Sequence, residues 1–415
     1  MPPPRSARDR RVGLAAIAAA VVGLAGCAAE PPARSEGAPA PEPAPTTTAQ
    51  AAPRTGTPEL RVEVVADGLE HVWDAGFLPD GRVLITERPG RISLLSSAQP
   101  GATVTPVTAD LADVYVRGEG GLMGLVVHPD FAQSRRFTTC QTHAEAGTAT
   151  DIRLVTWELA ADGASARRVA DPLLAGLPIN SSGRHSGCRP TLAADGALLV
   201  GTGDTARGGI PQDLTSLGGK VLRIDLATGG PAPGNPFANV ENPAQRLVWT
   251  FGHRNVQGVA IDANGQAYSA EHGPSTDDEV NRLRAGGNYG WDPSQGGTVG
   301  GYDESVPMTD LERFPDAVPA AWRSGSPVEA IAGTAFLRGP QWGDLDGTLA
   351  VAALRGQKLL LMRIGPDGNV AEATEPAQLN DTQGRLRAVR LAPDGALIVT
   401  TSNGTSDKVL RVTPV

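Results

Sequence analysis

The chain has 415 residues, a formal net charge of −9 and a hydrophobic fraction of 40%. That length suits one closed β architecture, and the acidic balance excludes a nucleic-acid partner, because phosphate recognition needs a basic face. Aromatic residues at 4% argue against an aromatic stacking platform, while 51 glycines and 35 prolines predict a chain rich in turns.

Residues 1–27 read as an export signal. Arg5, Arg8, Arg10 and Arg11 form a basic start, and Val12 to Gly26 is an apolar run too short to span a bilayer comfortably. Leu24-Ala25-Gly26-Cys27 resembles a bacterial lipobox, which implies cleavage before Cys27 and a lipid on its thiol. A plain secretory signal with an incidental cysteine is the other reading, and Arg10-Arg11 also fits twin-arginine export. Residues 28–57 are rich in Ala, Pro, Thr and Glu and cannot bury enough apolar surface to fold, so they are expected to form a disordered linker. The expected product is exported and lipid-anchored at the outer face of the cytoplasmic membrane, touching the membrane only through that anchor. Without the anchor it would be periplasmic or extracellular.

From residue 58 to 415 one pattern recurs. A short apolar strand runs into Asp-Gly or a relative, and a second apolar strand follows. The turns are Asp80-Gly81, Asp195-Gly196, Asn264-Gly265, Asp346-Gly347 and Asp394-Gly395, with His128-Pro129-Asp130-Phe131 as a variant. Asp-Gly and Asn-Gly supply the positive φ of tight hairpins. The units recur at intervals of roughly 50 to 80 residues, a propeller-like period with insertions. Lys220–Ile224 and Lys408–Val412 read as strands that close units, and no long amphipathic helix is evident. Six units predict an all-β, six-bladed β-propeller; five or seven blades, or a β-sandwich pair, are the alternatives.

Four constellations could carry chemistry. His185 lies in the Gly- and Ser-rich run Gly183–Arg189, where a neutral imidazole could take a proton from a hydroxyl; it could equally be a surface loop histidine. Arg254 beside Asn255, within Gly252–Gly258, suits a carboxylated, carbonyl-rich ligand, or simply packs a turn. Glu271–Asn281, followed by Gly286–Trp291, offers carboxylates and loop carbonyls to a hard cation such as calcium. It lacks the alternating spacing of an EF-hand and could be a solvated acidic loop. Arg385 and Arg387 alternate along a strand, so both guanidinium groups should share one face and call for an anion; an exposed strand face is the other reading. Arg355 and Lys358 precede them in the neighbouring unit.

In their order along the chain these segments resemble the soluble pyrroloquinoline quinone (PQQ)-dependent aldose sugar dehydrogenases of the glucose/sorbosone dehydrogenase family. The resemblance is carried by Gly118–Gly124 with His128–Phe131, by His185–Arg189, and by Gln212–Leu214 with Gly219–Arg223. It continues through His253–Asn255 with Gln257-Gly258, Glu271–Pro274 with Asp278-Glu279, Asn288–Trp291, and Arg385–Arg387 with Pro393–Gly395. It implies a six-bladed propeller with PQQ over the central channel, His185 as the base that removes the anomeric proton, and hydride transfer from the anomeric carbon to the quinone. It further implies PQQ contacts from Arg254, Asn255, Arg385 and Arg387, with Glu119, His272, Asp278 and Arg355 in the matched cofactor segments. Gly273 and Pro274 would lie near the cofactor calcium, and Glu279 and Tyr289 would serve a calcium of aldose-type members. The partners implied are a sugar substrate and an external electron acceptor. The missing Rossmann fingerprint fits a non-nicotinamide enzyme.

The chain departs from the family at three places. Glu119 stands where relatives commonly carry Gln, and a carboxylate facing an anionic quinone is repulsive unless protonated or paired. Arg355 stands near a family Lys. Cys188 replaces a Gly or Ser of the base loop; it and Cys140 are either a disulfide, which an exported compartment permits, or two buried thiols. Two other classes compete with the dehydrogenase: a cofactor-free propeller that binds a glycan or protein partner, and a propeller lactonase, which would need a channel cluster of carboxylate and Asn ligands.

Overall fold

The computed structural model describes residues 56–294 and 301–415. The export signal, Cys27 and nearly all of the expected linker lie outside the described residues. From Leu60 onward the chain forms six four-stranded antiparallel sheets. Their innermost strands are Val72–Phe77 (blade 1), Leu122–Val127 (blade 2), Arg189–Leu192 (blade 3), Val256–Ile261 (blade 4), Ile331–Phe336 (blade 5) and Leu386–Leu391 (blade 6). Successive inner strands touch in that order and the sixth touches the first, so the blades close a ring around a channel. The single α-helix among the described residues, Phe131–Ser134, has four residues.

Each turn singled out in the sequence joins the first and second strands of a different blade. Gly81, Gly196, Gly265, Gly347 and Gly395 all have φ between 77° and 88°, where a side chain would be strained. The strands beside these turns show runs rather than alternation because a blade packs on both faces. Val83–Glu87, Ala197–Gly201, Leu349–Ala353 and Leu397–Thr401 are buried at every position. Among the described residues the apolar core is accordingly six wedges, one between each pair of neighbouring blades, and a small seventh cluster of Trp291, Tyr302 and Met308. Leu84, Leu122 and Trp157 fill the wedge between blades 1 and 2, and Trp342, Ala352 and Leu397 the one between blades 5 and 6. Each such leucine contributes roughly 1.5–3 kcal/mol by leaving water.

The repeat is out of frame with the sheets by one strand. Lys220–Asp225 and Asp407–Pro414, read as closing strands, are third strands. The fourth strand of blade 6 is Leu60–Leu69, which pairs with Asp407–Pro414 from Leu60 opposite Pro414 to Leu69 opposite Asp407. The ends of the folded region therefore clasp one sheet and close the ring.

A buried ion cluster ties the inner strands across the channel. Asp74 of blade 1 meets Arg189 of blade 3 at 2.8 Å and Arg390 of blade 6 at 2.6 Å, and accepts the Leu125 amide of blade 2. Burial opposes the Asp74 charge, but Arg390 and Arg189 outweigh it and hold the carboxyl below its ordinary value.

Candidate active site

Loops that link second to third strands, and loops that enter each inner strand, meet at one end of the channel. His185, Arg254, Asn255, His272 and Arg385 lie on these loops. The hairpin turns lie at the other end, where a cavity of about 920 Å³ is lined by Thr191, Asp195, Asp262 and Arg390. Among the described residues, none of the buried polar atoms that lack a partner belongs to a residue lining that cavity. Arg88 Nε, Thr205 Oγ1, Arg254 Nε and His272 Nε2 are such atoms, and all four sit in loops of the first end. Unsatisfied buried donors and acceptors call for a ligand or ordered water, so the chemistry belongs at this mouth.

His185 enters blade 3 at φ +50°, a left-handed conformation that costs a non-glycine residue about 1 kcal/mol or more. Its Nδ1 lies 2.7 Å from Asp204 Oδ1 and 3.2 Å from the Tyr302 hydroxyl. Asp204, absent from the sequence reading, is fully buried, and its Oδ2 accepts the Tyr302 hydroxyl and Trp291 Nε1, each at 2.8 Å. Burial works against the Asp204 charge, but His185 and Arg254 outweigh it and keep its carboxyl below the ordinary value. An ionised Asp204 can only accept, so the imidazole proton sits on Nδ1 and the lone pair on Nε2. No protein hydrogen bond reaches Nε2 among the described residues.

The loop is pinned from beneath. Glu119 is half-buried and paired: its carboxylate accepts Asn255 Nδ2 at 3.0 Å, Gln257 Nε2 at 3.2 Å, and the amides of His185 and Ser186. Burial raises the cost of its charge, but the Asn255 amide and the Arg387 guanidinium work against that cost, and the carboxyl is held low. Asn255 Oδ1 in turn accepts the Gly187 amide at 3.1 Å. Cys188 is disulfide-bonded to Cys140 of blade 2, closing a separation of 48 residues. Replacing both cysteines with serine should cost about 4 kcal/mol by the loop-entropy relation, read as a lowered urea midpoint. kcat should change by less than about threefold, since Glu119 and Asn255 still hold the loop.

Arg254 is buried and already paired. Its Nη1 donates to His272 O at 3.0 Å, and its Nη2 to Glu304 at 2.6 Å. Glu304 also meets Arg184 at 3.0 Å, so one carboxylate bridges two arginines at the rim. Tyr302 and Glu304 come from a long insertion of blade 4 that reaches over His185, and nothing in the sequence pattern pointed to them. Arg387 has no such partner. It is 5% exposed, stacks 3.9 Å above the Trp73 ring, and makes only long 3.4 Å contacts to Ser402 and Gln257. Burial first, and the neighbouring Arg189 second, push its guanidinium below its ordinary value. Arg385, expected to share its face, precedes the strand and is exposed, although near enough to repel Arg387. Arg355 is exposed on the blade 5 loop, and its backbone amide donates to Glu329 O. The His272 imidazole is driven down to about 3 by burial and is neutral.

The remaining expected site residues divide. Asp278 turns inward: Oδ1 accepts the Gly273 amide and Oδ2 those of Glu329 and Ile331, so it braces the loop that presents Gly273 and Pro274. Glu279 is buried beside Glu271, and burial, then that neighbour, push its carboxyl up to about 8. Asn281 donates to both carboxylates while its own Oδ1 is buried without a partner. Tyr289 stacks on His253, which Glu271 holds at 2.8 Å. Among the described residues no three His, Cys, Asp or Glu side chains gather as a metal cluster, so a cation here would draw on main-chain and amide oxygens.

A family model for glucose/sorbosone dehydrogenase matches residues 69–411. The chain belongs to this family. Across 375 residues it is 32% identical to the aldose sugar dehydrogenase YliI of Escherichia coli K12, covering 88% of this chain and 94% of that one. Among solved structures of the fold, the PQQ-bound aldose sugar dehydrogenase of Streptomyces coelicolor superposes with a TM-score of 0.69 at 29% identity, covering 87% of this chain and 99% of that one. A putative glucose dehydrogenase of Thermus thermophilus does so with a TM-score of 0.69 at 38% identity, covering 85% and 99%. The family match thus spans all six blades, short of most of the closing strand Leu60–Leu69.

Proposed function

We propose that this protein is an exported, lipid-anchored quinoprotein that oxidises the anomeric carbon of aldoses to lactones, using PQQ and calcium and passing electrons to an external acceptor. One observation carries the reading: an imidazole with its tautomer set by Asp204 shares the mouth with Arg387, a buried guanidinium that lacks a carboxylate.

The residues present fit the cofactor. PQQ is a tricarboxylate, and Arg387 and Arg385 are among the mouth's cations that no carboxylate contacts; a buried unpaired charge is costly until an anion meets it. Glu119 does not oppose this, because its charge is spent on Asn255, Gln257 and two backbone amides. Calcium fits too, since Gly273 and Pro274 offer loop carbonyls and Asn281 Oδ1 is buried without a partner, the oxygen ligands a hard cation takes. When bound, PQQ accepts hydride from the anomeric carbon, and calcium polarises the quinone carbonyl that receives it. The chain's own part is proton transfer and placement. His185 Nε2 takes the anomeric hydroxyl proton, so that hydride departs from a developing alkoxide. Asp204 keeps the proton on Nδ1 and stabilises the imidazolium that forms, while Trp291 and Tyr302 hold Asp204 and wall it from water.

The test adds PQQ and calcium to apo-protein, measures PQQ binding by absorbance and follows dye reduction with a panel of aldoses. Micromolar or tighter binding and sugar-dependent reduction are expected. Failure to bind PQQ would leave the propeller as a module for a glycan or protein partner.

A further inference from the structure

Lys220 opens the third strand of blade 3 and is fully buried. Its three ammonium hydrogens are all used, and all go to main-chain carbonyls: Ile210 at 2.8 Å, Pro211 at 3.0 Å and Gly218 at 2.6 Å. No carboxylate contacts it among the described residues. Burial pulls its pKa down to about 7, and only the more distant Asp213 and Asp204 favour its charge. Filling this volume does not require an ammonium, because Met would do so without desolvating a charge.

The three carbonyls belong to one stretch, residues 202–219, which carries Asp204. That stretch also sets its neighbours. Pro211 O accepts the Gly252 amide at 3.0 Å, Gly219 O accepts the His253 amide at 3.1 Å, and the Asp204 amide donates to Arg254 O at 2.8 Å. Gln212 donates to Trp291 O at 2.9 Å. The fit has no slack: a Cβ at Gly219, itself at φ +61°, would lie 2.6 Å from His253 O. Carbonyls converging on a point charge form the donor set of a small bound cation, and lysine supplies such a charge on a tether.

We propose that Lys220 is a positioning residue, an internal ammonium around which the 202–219 loop is wound so that Asp204 aims His185 and the Gly252–Arg254 segment stays in register. The proposal rests on the reading of His185 as the base.

Lys220→Ala, Lys220→Met and His185→Ala are assayed as PQQ-loaded holoenzymes. Both Lys220 variants should bind PQQ within about threefold of wild type and keep KM for the sugar within about threefold, while kcat falls about 10- to 100-fold. The acid limb of the kcat/KM profile should shift, because Asp204 no longer sets the His185 proton. Lys220→Ala leaves three carbonyls at the end of the space vacated by the lysine side chain. Its kcat should therefore rise at least about fivefold with ammonium or potassium ions, but not with tetramethylammonium at equal ionic strength. A Lys220→Met enzyme with wild-type kcat and pH profile, whatever its melting temperature, overturns the proposal. So does a folded Lys220→Ala enzyme that no small cation revives. Should Lys220→Ala fail to fold, the volume-matched Lys220→Met decides through kcat and the pH profile. An active His185→Ala enzyme would instead strike at the base reading itself, so the two failures are told apart.

Discussion

Replacing His185 with alanine is expected to lower kcat for aldose oxidation by about 10²- to 10⁴-fold, the usual worth of a positioned general base, with PQQ affinity unchanged within about threefold. No PQQ contact is assigned to the imidazole, so binding and turnover should separate. Asp204→Asn should approach the same loss by a different route. An Asn side chain can donate to Nδ1, which moves the ring proton to Nε2 and removes the lone pair the reaction needs. Asp204 also gives the pair a signature in stability. Its folded-state pKa lies below the ordinary value of 3.8. Its contribution is therefore complete above that value and is lost as the pH falls through the folded-state value. The urea midpoints of wild type and Asp204→Asn should differ at pH 7 and converge in strong acid. Retained turnover in His185→Ala, or a midpoint gap that persists in acid, would remove the dyad from its role.

The sequence revealed the parts of this molecule that depend on neighbours along the chain. An Asp-Gly turn is determined within a few residues, so the hairpins could be placed and six blades counted. The closing strand Leu60–Leu69 could not, because its partner lies at the opposite end of the folded region and its own residues carry no mark of that pairing. The site divides in the same way. His185, Arg254 and Arg387 stood out because charged or titratable groups beside glycines and strand starts are unusual locally. Asp204 did not, although it follows directly on the buried strand Ala197–Gly201, because its meaning depends on a long loop wound around Lys220. Tyr302 and Glu304 reach the site through an insertion without periodicity. Glu119 looked like a repulsive charge at the cofactor, and what pairs it, Asn255, lies 136 residues away. Composition at a position shows that a charge is present; only the packed fold shows what neutralises it.

Arg387 offers the sharpest opposition between binding and stability. Arg387→Met should weaken PQQ binding by about 30- to 1,000-fold, the cost of removing one partner from a desolvated charge pair. The same change should leave the apo-protein as stable as wild type or more so. It removes a buried cation that no carboxylate contacts and that Arg189, Arg385 and Arg88 repel against the attraction of Glu119 alone, while Met keeps the volume above Trp73. The lost cation–π contact, about 1–2 kcal/mol, works against that gain without reversing it. Arg385 is the internal comparison. Being exposed, it should cost PQQ affinity less than about tenfold on replacement, and that loss should shrink further in about 0.5 M salt, where an exposed charge is screened and the Arg387 site is not. Titration of PQQ into each variant, beside thermal melts of the apo-proteins, gives both quantities. If Arg387→Met destabilised the apo-protein by several kcal/mol and left PQQ affinity alone, the guanidinium would be a structural strut, and the mouth would have lost its anion seat.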